Sequence, residues 1–344
     1  MTNRYSLIKN IEQKYKDLIS ANEKIPVAEL YDVTDKYFMK IEDGYDKLSC
    51  EKTIFELMVE PLRNLSFSRN DKVHRNILKL HACAIKRYIE QDFDYVAGFI
   101  GLEGRGKSVA SIYMAEQLRE LGMNFEMEED MFFRGDSTAE GFRNIYQTLS
   151  RREKGVIIFD EGKAFFDKRQ SMNTFRIDTL QEIASQRSKN NVMFINVGAH
   201  DEIDLYFRER RCKSLFMIPD RRIVVNLQNR GIVGMGSDRF GLSFYEWSIR
   251  RMPINFKSHI STLLKMNTQY GFGIMPHLDK DTYMRYKELK DSRNSILDKL
   301  KWEKYDKKIK KEKGNLPAGF QSSILDDNPQ PPDYTKPLAL KPRC

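Results

Sequence analysis

Apolar residues recur at three- and four-residue steps in IEQKYKDLI, TIFELMVEPL and ILKLHACAIKRYI, so the spacing predicts helices within residues 1–92. Asn22, Pro26 and the pair Asp43-Gly44 separate them as turn signals. At Tyr95 the pattern changes: YVAGFIGL is a short apolar run ending on glycine, which reads as a buried strand. VASIYMAEQLRELG then reads as a helix stopped by Gly122, NFEME as a short strand and AEGFRNIYQTLSRRE as a helix. GVIIFDE is a strongly apolar strand, TFRIDTLQEIASQRS a helix, and NVMFINVGA, SLFMI and RIVVNLQ are further strands. Continuous apolar strands alternating with helices predict a mostly parallel sheet with helices on both faces, the α/β class, preceded by a helical amino-terminal region.

Beyond Gly236 the pattern is weaker. FGLSFYEWSI reads as a strand or as a loop packed on the core. Residues 281–313 predict a helix with a sparse stripe of Tyr286, Leu289, Ile296 and Leu300, and eight lysines fall between Lys299 and Lys313. Six prolines in the last thirty residues predict a flexible tail. The expected divisions are a helical region over 1–92, an α/β core over 93–240, a region over 241–313 ending in the lysine-rich helix, and a Pro-rich tail over 314–344.

Composition narrows the classes. With 344 residues, 31% charged and 40% hydrophobic, the chain is long enough to bury a substantial core and is too apolar for a disordered one. No apolar run reaches the roughly 18–20 residues of a membrane span, and MTNRYSLIKNIEQKYKD lacks the hydrophobic centre of a signal peptide. Cys50, Cys83, Cys212 and Cys344 are scattered without paired spacing, which disfavours a disulfide framework or a zinc site and suits free thiols in a cytoplasm. The net charge of +9 favours a polyanionic partner, although much of the excess lies in the lysine-rich helix.

Gly101-Leu-Glu-Gly-Arg-Gly106-Lys107-Ser108 fits the phosphate-loop pattern G-x-x-x-x-G-K-[ST], between a predicted strand and a predicted helix. Glycines at 101, 104 and 106 let the backbone curl with its amides inward, and the next helix presents its amino end to the same anion. Arg105 and Val109 complete the expected lining. Lys107 is expected to reach the β- and γ-phosphates of ATP and Ser108 to ligate Mg²⁺. Val156–Phe159 then delivers Asp160 and Glu161. Asp160 suits the Mg²⁺ role and Glu161 a general base for water, which points to hydrolysis over transfer to a small acceptor. A bland alternative makes Asp160 a helix cap. Residues TFRIDT around Arg176 are the only candidate for the arginine-bearing lid of a small-molecule kinase.

The order of Gly101–Ser108, Val156–Glu161 with Gly162-Lys-Ala-Phe165, the helix ending Ala184-Ser-Gln-Arg-Ser188 and the strand Asn191–Val197 resembles the HerA/FtsK superfamily of DNA-pumping ATPases. That superfamily includes viral genome-packaging ATPases and the zonula-occludens-toxin-like assembly proteins of filamentous phages. The resemblance covers about residues 93–235. It implies a phosphate-loop NTPase fold of RecA-like (ASCE) type and a homo-oligomeric ring, a pentamer or hexamer, acting on double-stranded DNA. A viral capsid or portal component and a cytoplasmic setting (the host's, for a virus) follow from the packaging members. It also implies that Arg187 acts near the γ-phosphate of a neighbouring subunit, whereas the same residue serves equally as a cation at a helix end. The family's sensor glutamine is missing here; Asn196 and His200 are the stand-ins. Tyr206-Phe-Arg208-Glu-Arg210-Arg211-Cys-Lys213, followed by Arg221-Arg222, is a trans-acting arginine source, a DNA-phosphate patch or a solvated basic turn. In the lysine-rich helix, Trp302 and Tyr305 either stack on a partner or pack on the domain. A nucleotide-binding regulator, or an assembly ATPase that does not move DNA, is the competing reading.

Overall fold

The computed structural model describes residues 25–32, 71–166, 186–204, 207–228 and 269–314, with isolated positions at 13, 17, 35 and 181. The helix expected from TFRIDTLQEIASQRS falls largely outside the described residues. So do the segment FGLSFYEWSI, most of residues 1–70 and the Pro-rich tail. Met1–Asn294 form one compact unit and Ser295–Cys344 a second.

Among the described residues, the first unit is built on a seven-stranded sheet. Its elements are helix α1 (Asp71–Glu90), strand β1 (Tyr95–Ile100), helix α2 (Lys107–Glu120), strand β2 (Met131–Phe132), helix α3 (Ala139–Arg151) and strand β3 (Val156–Phe159). Strands β4 (Val192–Val197), β5 (Cys212–Asp220), β6 (Ile223–Gln228) and β7 (Gln269–Ile274) follow, then helix α4 (Lys280–Gly314). The strand order is β2-β3-β4-β1-β5-β6-β7. From β2 through β5 every pairing is parallel; β6 and β7 are antiparallel. The antiparallel turn has a local cause: only Arg221 and Arg222 separate β5 from β6, too short for the crossover a parallel pair needs.

Both faces of the parallel strands are buried, which is why these segments are apolar without alternation. Tyr95, Ala97 and Phe99 of β1 face a core shared with α1 and α2, built around Ile77, Ile85, Ala110, Ile112 and Phe216. Val96 and Ile100 face a second core with Phe142 and Ile145 of α3, Ile157, Phe159 and Ile195. Helix α2 is terminated by Gly122 at φ 83°, where its amide donates to the Arg119 carbonyl at 2.9 Å. Helix α3 begins at Thr138, whose hydroxyl accepts the Gly141 amide at 3.1 Å.

NFEME is a correction. Phe125 and Met127 are buried, but Asn124 makes only an isolated bridge to Gly155, and Met127–Asp130 is a helical turn. The Asp130 carboxylate accepts the Glu126 amide at 2.7 Å and pairs with Arg152 at 2.7 Å, closing the turn. Pairing with β3 therefore starts later, at Met131.

Candidate nucleotide site

The site lies at the carboxyl ends of β1, β3 and β4, where the order of the parallel strands leaves a crevice. Strand β4 separates β1, which delivers the glycine loop, from β3, which delivers the acidic pair. At Gly101 a Cβ would stand 2.6 Å from the Ile218 carbonyl oxygen of β5, so only glycine lets the loop leave the sheet this close to its neighbour. Gly104 and Gly106 take φ 72° and 103°, the left-handed region that favours glycine. Helix α2 starts after Gly106 without a side-chain cap, leaving its first amides for an anion. Arg105 and Val109 are half-buried in the loop and the first turn.

Lys107 folds back over the loop, its Nζ donating to the carbonyls of Gly101 at 2.7 Å and Leu102 at 3.2 Å. Burial lowers its pKa, and Asp160 opposes that shift. Ser108 Oγ donates to Asp160 Oδ1 at 2.6 Å, so the two expected Mg²⁺ residues meet directly. Asp160 is buried and its own amide is held by the Phe132 carbonyl of β2 at 2.7 Å. Glu161 sits at φ 56° with its side chain 40% exposed, at the mouth of the site. The next amide, of Gly162, donates to the Asn196 carbonyl at 2.7 Å and ties this turn to β4.

Asn196 is fully buried and its Nδ2 donates to Asp160 Oδ1 at 3.1 Å and to Ser111 Oγ at 3.0 Å. His200, the other sensor candidate, is buried and lies beyond β4 in the turn His200–Glu202. Arg187 falls in the turn Gln186–Lys189 that leads into β4; its side chain is outside the described residues. In the basic turn Phe207–Arg211, Arg210 is exposed and Arg208 half-buried. Arg211 is buried and ion-paired with Asp94, so its reading as a surface contact is corrected: it anchors the start of β1.

Three further residues line the candidate site, and nothing in the local pattern placed them there. From the turn between β5 and β6, Arg221 Nε donates to the Gly104 carbonyl at 2.6 Å and braces the loop. From α4, Tyr286 OH donates to Asp160 Oδ2 at 3.1 Å. Lys290 Nζ lies 3.0 Å from the same oxygen and 3.2 Å from Glu161 Oε1. Burial pushes the Tyr286 hydroxyl up to about 12. Burial would lower the Lys290 ammonium, but Asp160, Tyr286 and Glu161 outweigh it and leave its pKa raised.

The donor set fits a Mg·nucleotide. Ser108 and Asp160 offer hard oxygens of the kind Mg²⁺ takes, with the remaining positions left to phosphates and water. Asn196 Oδ1 is a buried acceptor with no partner among the described residues, placed beside Asp160 where a metal-bound water would satisfy it.

The strand order, the glycine loop between β1 and α2, and the acidic pair ending β3 define an α/β phosphate-loop NTPase core. No protein-family model matches the sequence, and no curated protein is similar to it. Among solved structures, the chain is similar to the amino-terminal domain of zonular occludens toxin from Neisseria meningitidis. The identity is 14% over 56% of this chain and 97% of that one, with a TM-score of 0.32. It is also similar to the genome-packaging NTPase B204 of Sulfolobus turreted icosahedral virus 2 in complex with AMPPCP, at 11% identity over 54% and 98% of the two chains (TM-score 0.31). A third likeness, to the FIGL-1 AAA domain in complex with ADP, has 18% identity over 39% of this chain and 48% of that one (TM-score 0.31).

Proposed function

We propose that this chain hydrolyses ATP with Mg²⁺ and couples hydrolysis to the movement of double-stranded DNA in a homo-oligomeric ring, with viral genome packaging as the role. The observation that carries the hydrolytic part is the convergence of Lys107, Ser108, Asp160 and Glu161 from two strand ends separated by β4. Lys107 and the α2 amides bind the phosphates, Ser108 and Asp160 hold the metal, and Glu161 takes a proton from the attacking water. Mg²⁺, when bound, neutralises charge on the β- and γ-phosphates. Asn196 holds Asp160 in place and orients water through its carbonyl. A neighbouring subunit contributes an arginine to the transition state, Arg187 or one of Arg208 and Arg210. DNA movement, the ring and a capsid partner rest on the resemblance to DNA-pumping ATPases and on the positive net charge.

ATP hydrolysis with and without linear duplex DNA tests the proposal. Lys107→Ala is expected to lose nucleotide binding. Glu161→Gln is expected to bind ATP and to hydrolyse it about 10²–10⁴-fold more slowly, the contribution of a positioned base. Arg187→Ala subunits mixed with Lys107→Ala subunits should regain part of the activity if the arginine acts across an interface. Hydrolysis that is indifferent to DNA would favour an assembly ATPase that does not move it.

A further inference from the structure

Helix α4 places four side chains in one stripe along its first turns, Arg285, Tyr286, Lys290 and Arg293, and each meets the α/β core. Arg285 pairs with Glu128 through both carboxylate oxygens. Arg293 Nη1 lies 3.3 Å from Asp136 Oδ1, and Asp136 in turn accepts the Phe133 amide at 2.9 Å. Tyr286 packs its ring 6.2 Å from that of Phe133. Between these anchors, Tyr286 and Lys290 enter the nucleotide site.

The acceptor capacity of Asp160 is then fully used. Ser108 Oγ and Asn196 Nδ2 donate to Oδ1, while Tyr286 OH and Lys290 Nζ donate to Oδ2. A carboxylate offers about four acceptor directions. None is left for a metal-bound water while all four donors stay. Lys290 also engages Glu161 Oε1, so the group expected to take a proton from water is held against a cation. Ser108 and Asn196 come from the core itself. Lys290 is the donor best able to leave: it is a long, flexible side chain and 28% exposed, whereas Tyr286 is buried in the core.

We propose that Lys290 is a resident counter-ion of this site, bridging Asp160 and Glu161 when Mg·ATP is absent and withdrawing when it binds, so that the 280–294 stretch of α4 is a nucleotide-responsive latch. This rests on the nucleotide-site reading above. The exchange would be cation for cation: bound Mg²⁺ would supply the charge that the ammonium supplies in its absence, and withdrawal of Lys290 releases Glu161 to its water. The latch makes hydrolysis sensitive to anything that pulls on α4.

The test titrates MgCl₂ into full-length protein with ATPγS, following nucleotide binding by calorimetry, for wild type, Lys290→Met and Lys290→Arg. Lys290→Met is expected to reach half-saturation at roughly tenfold lower Mg²⁺, the worth of one charge-assisted contact, with faster DNA-free hydrolysis. Lys290→Arg should keep the wild-type dependence. In wild-type protein, amide exchange over residues 283–294 should quicken on adding Mg·ATPγS and stay unchanged with Mg²⁺-free nucleotide, a readout that holds even if a variant folds poorly. An unchanged Mg²⁺ demand in Lys290→Met, or unchanged exchange in wild type that binds Mg·ATPγS, overturns the latch alone. Loss of hydrolysis in Lys290→Met at saturating Mg·ATP also overturns it, making the lysine a catalytic residue instead. Failure of wild type to bind Mg·ATPγS overturns the nucleotide-site reading along with the latch.

Discussion

His81 lies under the sheet with its ring edge-on to Phe216 at 5.4 Å, and burial alone drives its imidazole down to about 3. Above the ordinary histidine range both folded and unfolded chains carry it neutral, and it does not affect the balance. As pH falls from about 6.5 toward 3 the unfolded chain binds a proton that the fold refuses, so stability is lost through that window. The melting temperature is therefore expected to drop between pH 7 and pH 4, and less steeply in His81→Phe; parallel slopes would show that the fold accepts a charged His81. Gly101 is constrained by packing in a comparable way. Gly101→Ala sets a methyl 2.6 Å from the Ile218 carbonyl and should cost about 1–3 kcal/mol in chemical denaturation, together with nucleotide affinity.

At the scale of elements, the glycine loop is gripped from outside its own strand and helix. The turn between β5 and β6 contributes Arg221 to the Gly104 carbonyl, so the antiparallel end of the sheet bears on the phosphate site. Arg221→Ala is expected to weaken ADP binding by roughly three- to tenfold, as for one exposed hydrogen bond worth about 1 kcal/mol, with little change in melting temperature. Unchanged affinity would make the turn a bystander. The loop, its flanking strand and helix, and the acidic strand were all legible from sequence because each is a contiguous run with its own periodicity or glycine spacing. Arg221, Tyr286 and Lys290 were not. Tyr286 read as one member of an apolar stripe, and Lys290 stands among many lysines in a charged helix.

For the whole molecule, a net charge of +9 means that the proposed contact with DNA would be an ionic event in which bound counter-ions are released. If several phosphates are neutralised, stimulation of hydrolysis by DNA should fall by about tenfold or more between roughly 50 and 200 mM salt, while DNA-free hydrolysis holds steady. Equal salt sensitivity of both rates would place the effect on nucleotide binding and count against a DNA-tracking surface. Among the described residues no helix is long and apolar enough to cross a membrane. In the second unit, Trp302 and Tyr305 are exposed, with ring centroids 6.1 Å apart and nearly perpendicular.

The amino-acid order alone determined the alternation of strand and helix, the curl at Gly101–Ser108 and the apolar strand that ends on Asp160 and Glu161. Each depends on neighbours a few residues away, through side-chain period, glycine torsions and strand ends. Tertiary structure decided which face of α4 meets the core, that Asn196 is the sensor candidate hydrogen-bonded to Asp160, that Arg211 is spent on Asp94 and that NFEME turns before it pairs. Those outcomes depend on contacts between segments distant in the chain, where many lysines and arginines look alike until packing selects one.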